Sequence, residues 1–104
     1  MTTPSPQAII EVRFKTAEEG GRRNAIYATP HKNFYSCPMG LDGEYFDCRV
    51  YLEDQVRLEP GGTYRLQVRF LNQMLVLPRL RTGKGITLRE GKIVAEGKVL
   101  QVSA

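Results

Sequence analysis

The sequence predicts an all-β domain. Short segments in which apolar and polar residues alternate, the period of a half-buried strand, recur along the chain. Turns rich in Gly and Pro separate these segments at intervals of about ten residues, a spacing typical of β-sandwiches and β-barrels. No stretch of about ten or more residues repeats apolar positions at helical spacing between caps. We therefore expect six or seven short strands with very little helix, and the pattern leaves sandwich and barrel open.

The first predicted strand covers residues 8–16. Ile10, Val12 and Phe14 fall on one face, the charged residues between them fall on the other, and Gly20-Gly21 provides the following turn. Residues 44–52 alternate in the same way, but their more polar face also carries tyrosines. Either face of that second strand is therefore a candidate contact surface.

The second half of the chain contains the clearest strand, over residues 63–70 after the Pro60-Gly61-Gly62 turn. Residues 74–77 form an apolar run that ends at Pro78, which predicts an edge strand or a strand end because proline cannot donate to a central ladder. The last two predicted strands, residues 86–90 and 93–102, follow a turn around Lys84 and are joined by the turn Gly91-Lys92. Within the final strand, Gly97 predicts a β-bulge that bends the sheet.

Length and composition fit one cytoplasmic globular domain. The 104 residues suffice for a single core, and 41% hydrophobic and 25% charged residues are ordinary values for such a domain. We expect a flexible leader over residues 1–7 and one barrel domain over residues 8–104. The start of the chain lacks the features of a secretory signal, and no apolar run reaches the roughly 20 residues that span a bilayer.

Cysteine and histidine usage argues against a metal site. Cys37 and Cys48 are the only cysteines and His31 is the only histidine, so the chain offers at most three of the four ligands that structural zinc requires. The cytosolic context favours two buried or half-buried free thiols over a disulfide. We expect no metal and no other cofactor.

Charge is distributed unevenly along the chain. Of the net +4, the half from Arg57 onward carries nine basic and three acidic residues, and the first half carries six basic and eight acidic residues. The second half is therefore +6 and the first half −2. This asymmetry fits an anionic partner such as nucleic acid, and it fits equally a soluble barrel with an uneven outer face.

The sequence gives little support for an enzyme. His31 lies in an irregular segment without a neighbouring acid, and no serine stands in a nucleophile-elbow context. Residues 82–87 superficially resemble a phosphate-binding loop, but Pro78 stands where that motif requires glycine and Gly85 stands where it requires Ser or Thr. We expect no catalysis and no nucleotide binding.

Several short segments occur in a characteristic order. Ile10-Glu11-Val12 leads into Gly20-Gly21-Arg22, then come Asn33-Phe34-Tyr35, Glu59-Pro60-Gly61-Gly62 and Arg89-Glu90-Gly91. In this order and spacing the chain resembles the C-terminal β-barrel, the third domain, of translation elongation factor Tu, without its GTPase domain. The resemblance implies a closed six-stranded antiparallel Greek-key barrel that acts as a binding module.

The resemblance also implies a role for two positions. Asn33 stands where the family has a polar amide before Phe-Tyr, and Glu90 matches the glutamate of the family's Arg-Glu-Gly segment, in regions that help to hold the tRNA T-stem. The residues after Arg22, those over 29–33 and those over 72–80 depart from the family pattern, so the scaffold is retained while the binding edges differ. A purely structural role for the two motifs, in turns and barrel closure, is the alternative.

Two sets of residues are candidate contact sites. Basic and amide side chains can hold phosphates or a polar partner, and the candidates are Arg22, Arg23, Lys32, Asn33, Arg89, Glu90 and Lys92. An apolar patch is predicted at Met74, Leu75 and Leu77, where a buried edge strand is the alternative. We expect a protein partner, either a component of the translation apparatus or a second copy of the chain, and a tRNA-like backbone is the alternative partner.

Overall fold

The computed structural model describes residues 6–29, 31–52 and 57–103. It contains eight strands, one α-helical turn and one 3₁₀ turn in that part of the chain. The strands are β1 (Ala8–Phe14), β2 (Ile26–Tyr27), β3 (Phe34–Leu41), β4 (Glu44–Tyr51), β5 (Arg57–Leu58), β6 (Thr63–Phe70), β7 (Gly85–Arg89) and β8 (Ile93–Val102). The helix α1 (Gln73–Val76) is followed directly by the 3₁₀ turn Leu77–Arg79.

Six of these strands form a closed antiparallel barrel in the order β1-β6-β4-β3-β7-β8, and β8 pairs back to β1. This confirms the predicted fold class. Consecutive barrel strands β3, β4 and β6 are neighbours, while β1 lies beside β6, which is a Greek-key arrangement. Strands β2 and β5 form a separate two-stranded sheet whose Leu58 is buried in the core.

The barrel interior is filled by the alternate residues of each strand. Ile10, Val12 and Phe14 of β1 point inward, as their alternation predicts, and each is at most 1% exposed. Cys37 and Cys48 face each other across the β3–β4 ladder, and both are buried free thiols. Because each inward residue packs against those of neighbouring strands, the loops at the barrel ends are held on a rigid scaffold.

The predicted edge strand over residues 74–77 is wrong. Residues 73–76 form the single turn of α1, and Pro78 lies in the first turn of the 3₁₀ segment, where its missing N–H costs nothing. Only Val76 of this turn is fully buried. One buried residue in four fits a helical turn laid on the barrel end better than a strand, whose buried residues alternate.

The bulge predicted at Gly97 is also wrong. Gly97 pairs in register with Val12 on one side and with Ile86 on the other, and the register shifts of β8 occur on either side of it, near Val94 and Leu100. A Cβ at Gly97 would lie 1.8 Å from the Glu11 carbonyl oxygen. Glycine is therefore needed here for the close approach of β1 and β8.

The β3–β4 hairpin is tied to the turn that follows α1. Its tip, Asp42-Gly43, has positive φ at both residues, as a two-residue type I′ turn requires. Asp42 forms an ion pair with Lys84 at 2.5 Å, and Arg79 forms ion pairs with both Asp42 and Glu44. The hydrogen bond from Lys84 is the main cause of a lowered pKa at Asp42.

Residues 1–5 of the predicted leader lie outside the described residues. Gln7, the last leader residue, is buried, and its side-chain oxygen accepts the Phe70 N–H at 2.7 Å. Its side-chain amide donates to Gln73 of α1, and its carbonyl accepts the Ser103 N–H at 2.9 Å. Gln7 therefore joins β6, α1 and the end of β8 at one end of the barrel.

Candidate functional site

The turn after β1 brings Arg22 against the barrel. The Gly21 N–H donates to the Thr16 carbonyl at 2.8 Å, and a Cβ on Gly21 would lie 2.3 Å from the Lys15 carbonyl oxygen. Only glycine allows so close a return of the chain. Within the same turn, Glu19 accepts hydrogen bonds from the Thr16 N–H at 2.9 Å and from the Arg13 guanidinium. The turn is therefore a fixed feature that aims Arg22 toward the β7–β8 hairpin.

Arg22, Glu90 and Tyr35 form a half-buried polar network. Arg22 Nη1 lies 2.5 Å and 2.6 Å from the two carboxylate oxygens of Glu90, and the Tyr35 hydroxyl donates to the same carboxylate. The Arg22 guanidinium also lies 6.0 Å from the centre of the Tyr35 ring. Burial, together with the hydrogen bond to Glu90, raises the pKa of Tyr35. The network joins the first turn, β3 and the last hairpin.

A groove of about 440 Å³ opens beside this network. It is lined by Ala17, Gly21, Arg22, Arg23, Asn24, Glu90, Lys92 and Val94. The lining carries three cations and one carboxylate, so it has an excess of two positive charges. Lys92 donates to the Gly21 carbonyl at 3.3 Å, and Arg23 makes no ion pair within the described part of the chain. The groove is thus suited to an anionic group.

The other predicted site residues lie outside the groove. Arg89 turns toward β4, where its guanidinium stacks 4.5 Å from the centre of the Tyr45 ring and donates to the Tyr45 hydroxyl. The Asn33 carbonyl accepts the Leu52 N–H at 2.8 Å. The structure therefore brings together Arg22, Arg23, Glu90 and Lys92, and it places Lys32, Asn33 and Arg89 elsewhere.

A second cationic surface lies on the outer face of the barrel, and we call Lys32, Phe34, Arg49 and Arg69 the basic strand face. Lys32 Nζ lies 5.3 Å and the Arg49 guanidinium carbon 4.4 Å from the centre of the Phe34 ring. Arg49 and Arg69 are direct partners in the β4–β6 ladder. The sequence analysis did not select Arg49 or Arg69 as site residues, although alternation placed Arg49 on an outer face. Their proximity depends on the register between β4 and β6, which the sequence pattern does not reveal.

Three neighbouring apolar side chains are exposed around α1, and we call Leu71, Met74 and Leu75 the apolar shelf. Their exposed fractions are 64%, 83% and 51%. Buried Val76 and half-buried Leu77 anchor the same segment to the core. The apolar patch predicted from sequence thus has Met74 and Leu75 at the surface, while Leu77 packs inward and Leu71 joins them.

The described residues contain no group of three or more His, Cys, Asp or Glu side chains placed to hold a metal ion. His31 is exposed in the loop before β3. No helix within the described ranges is both long and apolar enough to cross a membrane.

Comparison with known proteins adds no family assignment. A scan against protein-family models gives no match to this chain. A search of curated proteins likewise gives no match. The resemblance to the elongation factor Tu barrel therefore stays a prediction, carried by the short motifs named above.

Proposed function

We propose that this chain is a non-catalytic binding module of the cytoplasm whose partner is another protein. The observation that carries the proposal is the apolar shelf. Leu71, Met74 and Leu75 expose large apolar side chains within five consecutive residues, although Val76 beside them is buried completely. Surfaces of this kind lose unfavourable contact with water when a partner covers them.

The shelf has the properties of an interface anchor. Its backbone is held by the buried Val76 and by the hydrogen bond between the side chains of Gln7 and Gln73. Binding a partner therefore costs little conformational entropy in this segment. Methionine, with its unbranched and flexible side chain, adapts to varied apolar partners. A component of the translation apparatus or a second copy of this chain is the partner that we propose, in keeping with the resemblance to elongation factor Tu.

Leu75→Asp tests the proposal because it places a charge at the centre of the shelf. Proteins captured from the native cell by the wild-type chain should be lost with this variant, and any homodimer seen by light scattering should dissociate. Tyr27→Asp is the matched control, since Tyr27 is 61% exposed on the separate β2–β5 sheet. An identical set of captured proteins and an identical oligomeric state for both variants would refute the proposal, provided that circular dichroism shows both folded.

Binding of a tRNA-like backbone is the second candidate function, favoured by the excess positive charge of the groove at Arg22, Arg23 and Lys92. Arg23→Ala is the sharper test than Arg22→Ala, because Arg22 also holds Glu90 in the fold. Affinity for tRNA should fall steeply with salt, and Arg23→Ala should weaken binding uniformly across RNA sequences. Unshifted tRNA mobility at micromolar protein and low salt would exclude this candidate.

A further inference from the structure

We infer that the segment bound by the apolar shelf is an acidic peptide with apolar side chains, and that it extends from the shelf onto the basic strand face. This inference rests on the proposed function, since it names the chemistry of the partner. Its basis is the continuity of an apolar and a cationic surface at the end of β6.

The cationic half is organised around one aromatic ring. Lys32 and Arg49 both lie within cation–π distance of Phe34, and Phe34 in turn packs edge-on against Tyr51 with ring centres 6.2 Å apart. Stacking on a ring fixes a guanidinium without using its N–H groups, which therefore stay available to a carboxylate. Neither Lys32 nor Arg49 forms an ion pair among the described residues.

The position of the cations concentrates their charge. Arg49 stands directly opposite Arg69 in the β4–β6 ladder, and both Arg49 and Lys32 lie against the Phe34 ring. Asp47 lies on the same outer face of β4 and forms no ion pair with Arg49. A ligand carboxylate would pair with Arg49 and Lys32 on this face, which gives the surface a preference for acidic ligands.

Leu71 joins the two halves. It lines a shallow depression of about 190 Å³ together with Arg49, Tyr51, Arg69 and Phe70, and it is also the first residue of the apolar shelf. A ligand that fills this depression therefore meets cations on one side and Met74 and Leu75 on the other. A nucleic-acid backbone gains nothing from exposed leucine and methionine side chains, whereas arginine, methionine and aromatic residues are enriched in protein interfaces. The combination favours a peptide.

The test uses peptides selected from a random displayed library against the wild-type chain. The selected peptides should carry net negative charge and bulky apolar residues. Their affinity, measured by fluorescence anisotropy, should fall about tenfold or more with Arg49→Glu and fall steeply with added salt. Lys98→Glu is the matched control, because Lys98 is exposed on β8 and not part of the basic strand face. It should leave peptide affinity unchanged.

A swap of charge gives the sharpest outcome. Peptides in which Asp and Glu are replaced by Lys should lose binding to the wild-type chain and recover it with Arg49→Glu. The inference would be overturned if the selected peptides had no acidic bias, or if they bound wild type and Arg49→Glu with equal affinity. In that case, loss of peptide binding with Leu75→Asp would still support the proposed protein-binding function. Polyuridine RNA that binds through Arg49 and is indifferent to Leu75→Asp would overturn the inference in favour of a nucleic acid.

Discussion

Gly97→Ala is expected to weaken the seam at which the barrel closes. A methyl group on Gly97 would lie 1.8 Å from the Glu11 carbonyl oxygen and 2.7 Å from the Val12 Cα, both of which are backbone atoms of β1. Ordinary contacts begin at 3.4 Å. Because a backbone cannot rotate away as a side chain can, β1 and β8 must separate by more than about 1 Å, which strains their ladder.

The expected loss follows from this clash. Overpacking costs about 1–3 kcal/mol, and a clash with paired backbone belongs at the upper end of that range. For a domain of this size, each kcal/mol lowers Tm by about 4–8 °C, so we expect a drop of about 10–20 °C. Thermal unfolding followed by circular dichroism measures it.

Gly85→Ala is the matched control for this measurement. Gly85 lies in β7 opposite Lys98, the residue next to Gly97, and the nearest atom to its added Cβ is 4.0 Å away. Its Tm should stay the same or rise slightly, because alanine reduces the entropy of the unfolded chain. Equal Tm values for the two alanine variants would show that the seam is not packed as described.

Three further measurements test the polar contacts. The hydrogen bond from Arg13 lowers the pKa of Glu19 to about 2, so NMR titration of the Glu19 carboxyl should show a much higher midpoint in Arg13→Ala. The stability that this contact gives to the folded state is present above the unfolded-state pKa of Glu19 and is lost as pH falls towards 2. Cross-strand hydrogen bonding, and then burial, raises the pKa of Cys48, so its thiol should react with a soluble disulfide reagent only as fast as the protein unfolds, and faster reaction would contradict its burial. Glu90→Ala should lower the free energy of unfolding, measured in urea, by about 1–2 kcal/mol because it breaks a half-buried network. Glu59→Ala removes an exposed ion pair and should lower it by less than about 0.5 kcal/mol. Equal losses of stability in the two variants would argue against the network.

Alternation predicted most of the barrel strands but not all of them. The predicted limits of residues 63–70 agree with β6, because one face of that strand is buried and the period is clear. Those of residues 93–102 agree with β8, although Val94 and Ala95 are buried in succession, because the Gly91-Lys92 turn marks where the strand begins. Strand β3 was not delimited, since Pro38 and Gly40 interrupt its pattern. Helix α1 was missed because four residues are too few for helical periodicity to show.

For the candidate sites too, the sequence predicted some features and not others. The sequence singled out Arg22 and Glu90 separately, but their contact depends on how a turn near the start of the chain and a hairpin near its end meet in the barrel. The pairing of Arg49 with Arg69 likewise depends on strand register, which alternation does not determine. Residue type therefore identified candidates, and the fold decided which of them are neighbours.

The contacts of Gln7 have a practical consequence for work on this protein. Because Gln7 bonds to both Ser103 and the helix that carries the apolar shelf, the two ends of the barrel domain leave it side by side. A purification tag or fused protein joined at residue 7 or residue 103 would begin beside α1, which carries Met74 and Leu75 of the apolar shelf, and would crowd that surface. Binding assays thus call for tag-free material, and a short linker joining residues 7 and 103 would allow a circular permutant whose new termini open far from this surface.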